Sequence, residues 1–285
     1  MRTRKPQVPG NAVVSGKAQV SGKAQVSDNA VVRCGAVVSD NVVVYDSAVV
    51  SGNAQVFDNA VVRGNAVVSG NAQVSDNAHV FDNAFVSGDA VVRGDARVFD
   101  NAQVYDNAVV RGGAVVRRNA VVSDNVVVYD SAVVRRNAVV SGNAVVSGNA
   151  VVSGNAVVRC DAVVSGNAGV YDNAIVSGSA QVFDNAHVFD NAVVSDNAFV
   201  SGNASIKSTA DYITVGPALS SLRYTTAHKD SVIGVRVNCG CFTGTLQEFR
   251  DAIERTHANN PAALRQYMLF HKMFTDYFST EGESK

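Results

Sequence analysis

From residue 12 to residue 206 the chain repeats one pattern of apolar and polar positions every six residues. Ala stands at 12, 18, 24 and onward to 204, broken only by Val42 and Val126. Two positions after each of these stands Val, from Val14 to Val200, and then Ile206. The consensus A-x-V-[S/R/F/Y]-[G/D]-N runs through 33 consecutive hexapeptides without an insertion. A-x-V alternates with period two, so Ala and Val point inward and x outward, which predicts a very short strand. The following three residues predict a corner, because Gly, Asp and Asn tolerate left-handed backbone angles. Strand and corner in strict alternation predict a β-solenoid. Each coil buries only a few small side chains, so its stability comes from stacking on its neighbours.

Runs such as "SDNAVVRCGAVVSDNVVV" resemble the left-handed parallel β-helix of hexapeptide-repeat proteins. The resemblance covers residues 12–209 and implies triangular coils of 18 residues, about 11 in all. Stacked at about 4.8 Å, they would form a prism roughly 50 Å long. The residue after the inward Val is usually small in that family, whereas here it is often Arg, Phe or Tyr. The expected fold is mainly β: a triangular parallel solenoid followed by a small α+β capping or oligomerisation domain over residues 210–285. Residues 1–11 form a basic N-terminal segment.

Every eighteenth residue falls on one stripe. The outward stripe Val13, Val31, Val49, Val67, Phe85, Gln103, Val121, Val139, Val157, Ile175, Val193 is almost wholly apolar. A flat apolar strip of this length is rarely left to water, so it is expected to be a self-association face. Hexapeptide-repeat proteins commonly form trimers, which favours a trimer over a dimer. The other two outward stripes are mixed at the ends and apolar in the middle, from Val91 to Val163 and from Val115 to Val151.

One corner stripe reads Tyr45, Arg63, Phe81, Phe99, Arg117, Arg135, Ser153, Tyr171, Phe189, and the next column contains Asp82, Asp100, Arg118 and Arg136. Arg117-Arg118 and Arg135-Arg136 should stack about 4.8 Å apart. Four guanidinium groups that close repel one another unless an anion or a neighbour's carboxylates lie between them. One reading is a site for phosphate or a nucleotide-like small anion. In it Arg63, Arg117, Arg118, Arg135 and Arg136 bind the charge, and Phe81 and Phe99 offer stacking surfaces. The other reading is solvated Arg beside Asp, or a contact between subunits.

Charge is balanced, with 24 basic against 25 acidic residues, so the bulk of the chain has no strong pull toward nucleic acid or membrane. No run approaches the ~20 apolar residues of a membrane span. The start "MRTRKPQVPGNAVV" lacks an apolar signal core, which leaves the cytoplasm as the expected location. Many hexapeptide-repeat proteins are acyltransferases that use a His base near a subunit boundary, with loops interrupting the helix. No such loop occurs here. The candidates for that base, His79 and His187, face outward on one side about 29 Å apart, too far to act together. Cys34 and Cys160 occupy equivalent corners about 34 Å apart and cannot pair within one chain. No cofactor and no metal site is expected.

After Thr209 the composition turns globular. Residues 211–215, 222–227 and 231–238 read as strands. Thr245 with Glu248 is a capping box, predicting a helix to about His257. Asn259-Asn260-Pro261 starts a second helix with an apolar stripe of Leu264, Tyr267, Met268, His271, Phe274 and Phe278. Such a module would cap the open edge of the solenoid. Its stretch "RVNCGCFTGTLQEFRDAIERTH" resembles a terminal module on repeat-rich proteins of bacteriophages and prophages, which would place the protein in a bacterial host cell. Cys239, Cys241 and His257 lack a fourth ligand for zinc, so the thiols are expected to be buried and structural. The sequence thus points to a non-enzymatic, homo-oligomeric scaffold or binding protein that sequesters a host protein or a small anion. The alternative is an acyltransferase-like enzyme with its site between protomers.

Overall fold

The computed structural model describes residues 5–218 and 223–279. Among the described residues, 33 strands of two or three residues run from β1 (Val13–Val14) to β33 (Ser205–Ile206), one per hexapeptide. Each pairs with the third strand before and after it, which makes three parallel sheets of 11 strands. The register is 18 residues: Val13 lies beside Val31, Gln73 beside Val91 and Val115 beside Val133. The expected period and coil number therefore hold. Inward Ala and Val from Ala24 to Ile206 are 0–1% exposed, including Val42 and Val126 at Ala positions. The interior between three converging sheets is narrow, so small and β-branched side chains fill it.

The corners differ from expectation in one respect. The left-handed position is the fifth of the hexapeptide, Gly or Asp, as at Asp46 (φ 60°) and Gly64 (φ 68°). The sixth, Asn, is left-handed only at Asn101 and Asn119. Asn serves instead as a rung. Asn101 Nδ2 donates to Asn119 Oδ1 at 3.1 Å, and the chain of bonds continues through Asn137, Asn155 and Asn173 to Asn191. Asp at the fifth position adds a second tie between coils. Asp76 Oδ2 accepts from the Gly94 N–H and Asp124 Oδ2 from the Gly142 N–H, both at 2.9 Å. Corner polar groups are thus satisfied by the coil above or below.

The C-terminal region holds four antiparallel strands, β34 (Tyr212–Val215), β35 (Thr225–Asp230), β36 (Gly234–Cys239) and β37 (Phe242–Thr245), then α1 (Leu246–Thr256) and α2 (Pro261–Ser279). Two expected strands start three residues late, and β37 was not expected; residue 222 lies outside the described residues. Asp230 Oδ1 accepts from the N–H groups of Val232 and Ile233 and turns the chain there, which carries β35 on to Asp230 and delays β36. The Thr245–Glu248 capping box forms as expected. Tyr267 and Phe274 of α2 are buried, with Leu264, Met268 and Phe278 packed around them.

The cap works by side-chain imitation of a next coil. Apart from an isolated bridge between Ala204 and Asp230, the outward backbone groups of the last coil have no strand to pair. On β35, alternate side chains face them. Thr226 Oγ1 accepts from Phe199 N at 3.0 Å, His228 Nε2 from Ser201 N at 3.3 Å, and Asp230 Oδ2 from Asn203 N at 3.1 Å. Asn238 Nδ2 donates to the Phe199 carbonyl at 3.0 Å, and Tyr212 Oη accepts from Ser195 N at 3.1 Å. His228 is fully buried, with Nδ1 3.1 Å from the Lys229 carbonyl. That bond needs the proton on Nδ1, which leaves Nε2 free to accept. Burial pushes the His228 pKa down to about 4, against the opposing pull of the Lys229 carbonyl and Asp230. Burial alone would raise Asp230. The bond from Arg236 Nε at 2.7 Å and the backbone N–H groups of Val232, Ile233 and Asn203 outweigh it and hold this carboxyl below its ordinary range.

Candidate functional site

The Arg/Phe corner forms a ladder. Phe81 and Phe99 stack at 4.5 Å with an interplanar angle of 7°. Arg63 Cζ lies 4.5 Å over Phe81, and Arg117 Cζ lies 5.7 Å from Phe99. Arg135 stands in register beside Arg117 on the following coil. The two Phe rings therefore have both faces covered within the ladder. Nε of Arg117 and of Arg135 is buried without a hydrogen-bond partner. Arg118 approaches Asp100 at 3.9 Å, but both side chains are about half exposed and such a pair is worth little. Among the described residues, Arg117, Arg135 and Arg136 make no ion pair.

The backbone also changes here. The strands lengthen to three residues, Arg97–Phe99, Val115–Arg117 and Val133–Arg135. At 100–101 and 118–119 both central corner residues are left-handed, the type I′ pattern, where other corners have one. Arg118 (φ 57°) and Arg136 (φ 64°) occupy positions that elsewhere take Gly, Asp or Cys. A left-handed long side chain costs about 1–2 kcal/mol. The structure thus brings Arg63, Phe81, Phe99, Arg117, Arg118, Arg135 and Arg136 onto one edge, held more by stacking than by ion pairs.

The ladder stops at the small, buried Ser153. One coil further, Gly169 is the only glycine at the outward strand position of any hexapeptide. A Cβ there would come within 2.1 Å of the Tyr171 ring. The absent side chain lets that ring lie across the sheet toward His187, stacked at 5.7 Å and 21°. A groove of about 650 Å³ opens beside it. Arg135, Arg136 and Asp172 line it with the rings of Tyr171, His187 and Phe189, and Asn203 and Ser231 close its cap end. Burial raises the Tyr171 pKa, with Arg135 pulling the other way. The groove's arginines were expected to bind charge, but their convergence with Tyr171, Asp172 and His187 was not. Its signal was a missing side chain.

The remaining candidates stay apart. His79 is half-buried; burial and the charges of Arg97 and Arg63 lower its pKa, while Asp95 opposes. Among the described residues, neither His79 nor His187 is hydrogen-bonded to a carboxylate. Cys34 and Cys160 are exposed, free and left-handed (φ 64° and 62°). Cys239 is half-buried and accepts from Thr225 Oγ1 at 3.2 Å, and burial raises its pKa. Cys241 is exposed, which corrects the expectation of two buried thiols: it lies in the β36–β37 turn. His257 stacks on Tyr267 at 4.9 Å. Among the described residues no three His, Cys, Asp or Glu side chains converge as metal ligands, and no helix is long and apolar enough to cross a membrane.

The outward apolar row faces solvent in the single chain. Val13 is 47% and Phe85 39% exposed; Val31, Val49, Val67, Val121, Val139, Val157, Ile175 and Val193 are half-buried.

Residues 54–70 and 102–118 match the model of the YdcK beta solenoid repeat. No curated protein matches the chain. Among solved structures, it is similar to an Arabidopsis UDP-N-acetylglucosamine acyltransferase, at 14% identity over 67% of this chain and 70% of that one, with a TM-score of 0.31. A Francisella novicida UDP-N-acetylglucosamine acyltransferase gives 13% identity over 68% of each chain and a TM-score of 0.30. Likenesses of this size leave function to be read from the residues.

Proposed function

We propose that the chain is a non-enzymatic, self-associating rod that works as a scaffold or binding protein. The observation that carries this reading is the outward row from Val13 to Val193. Ten of its 11 positions are apolar, Gln103 being the exception. One flank is the Asn column, whose amides already bond to one another from Asn101 to Asn191. The other flank is mostly Ser, including Ser51, Ser69, Ser87, Ser123, Ser141 and Ser177. The face is therefore flat and, apart from Arg33, Tyr105 and Arg159 in the Ser column, bordered by small uncharged groups, which suits close approach of a second copy. Three copies around an axis would bury three such rows, in keeping with the trimers of hexapeptide-repeat proteins. Resemblance of the C-terminal stretch to phage modules supports a phage or prophage origin.

The test is sedimentation of the wild type beside a Val139→Asp, Val157→Asp double variant. The expected result is a trimer that becomes monomeric in the variant with an unchanged circular dichroism spectrum. A wild-type monomer would overturn the reading. An acyltransferase would instead bind an acyl-CoA and lose turnover on His79→Ala or His187→Ala, and neither is expected.

A further inference from the structure

We infer that the groove at the broken end of the ladder binds a nucleoside phosphate. Three features of its walls lead there. First, Arg135 and Arg136 present two guanidinium groups with no carboxylate within ion-pair distance among the described residues, and the Arg135 Nε–H is buried without a partner. Adjacent guanidinium groups suit the oxygens of a phosphate, which accept several charge-assisted bonds at once. Secondly, the groove's rings are less covered than those of Phe81 and Phe99: Lys207 lies over Phe189, but Tyr171 and His187 cover only one face of each other. Gly169 lets Tyr171 stack on His187, and the outer face of that pair is a surface on which a base can lie. Thirdly, Asp172 stands in the same groove. Its carboxylate repels a bare anion but accepts bonds from the hydroxyls of a ribose or an amino group on a base. Two guanidinium groups on one coil, with a ring and an acceptor side by side two coils further on, fit a nucleotide better than phosphate alone or an uncharged ring.

Size and position agree. The groove's volume of about 650 Å³ falls within the ~300–1,000 Å³ of small-molecule sites. Asn203 and Ser231 come from the last coil and from the turn after β35, so the cap completes the site. Most of the site lies on the side of its corner facing the Gly169–His187 sheet, while Arg136 and Asp172 stand next to the Asn column that flanks the Val row.

The test is isothermal titration of the full chain with AMP, GMP, CMP and UMP, with adenosine and inorganic phosphate as controls, repeated on Arg136→Ala and Tyr171→Ala. Circular dichroism and native mass, run alongside, separate loss of the site from loss of fold or assembly. At least one nucleotide should bind with Kd below about 1 mM, at least about tenfold tighter than adenosine or phosphate, and each variant should weaken it about tenfold or more. The inference fails if all four nucleotides bind more weakly than that. It also fails if phosphate binds as tightly as the nucleotides, or if both folded variants bind like the wild type.

Discussion

Acidification should loosen the cap through His228. This imidazole accepts the Ser201 N–H and contacts Asn238 Nδ2 at 3.0 Å, so its Nε2 has to stay unprotonated. Its pKa is about 4 in the folded chain against 6.5 for an ordinary histidine. The unfolded state therefore binds the extra proton first, and stability falls as pH drops from about 6.5 to about 4, levelling off below. At pH 5 the unfolded imidazole is almost fully charged and the folded one almost neutral, which amounts to about 2 kcal/mol. The full loss approaches about 3 kcal/mol. Asp230 and Arg236 act on the ring with opposite sign, and Asp230, held below its ordinary range, stays charged across most of this window. The assay is amide hydrogen exchange at Phe199, Ser201 and Asn203, comparing wild type with His228→Gln at matched pH. The amide of Gln accepts a bond but does not titrate. Protection of the wild type should fall relative to the variant by roughly 1.5 orders of magnitude between pH 7 and pH 5. Equal protection ratios at both pH values would refute the claim that a neutral histidine holds the end of the solenoid.

Other consequences follow from single contacts. Asp230→Ala removes the partner of Arg236 and the acceptor for Asn203 N, and should cost roughly 3 kcal/mol in urea unfolding followed at the helices. Arg118→Asn relieves a left-handed Arg while losing only an exposed ion pair, and should raise stability by about 0.5–1 kcal/mol in the same assay. Gly169→Val restores the outward Val of the repeat, yet its Cβ meets the Tyr171 ring. The solenoid's circular dichroism should remain while the Tyr171–His187 ring-current shifts disappear from the NMR spectrum; unchanged shifts would mean that the glycine does not position the tyrosine.

Fold was legible in this sequence because each coil repeats the physics of the last. Period-two burial of Ala and Val, an unbroken six-residue spacing and Gly or Asp at the fifth position suffice to set strand, corner and register. The division of labour inside the corner was not legible. Asn and Asp are both common in turns, and only the stacking of coils shows that Asp takes the left-handed angle while Asn bonds to the Asn above. The cap was foreseen as a function, but not its chemistry. Thr226, His228 and Asp230 look like ordinary strand residues until a bare coil end lies against them. The ladder was foreseen from its arginines, whereas the groove was not, because Gly169 reads as a weak repeat until the ring of Tyr171 is seen lying over it.

The central claim is that this rod works through its outer faces, first of all by joining copies of itself along the Val row. Native mass spectrometry on gently purified protein tests it most directly. The account predicts one dominant species at three times the mass of the 29.7 kDa chain, persisting at submicromolar concentration. A monomer under those conditions would contradict it.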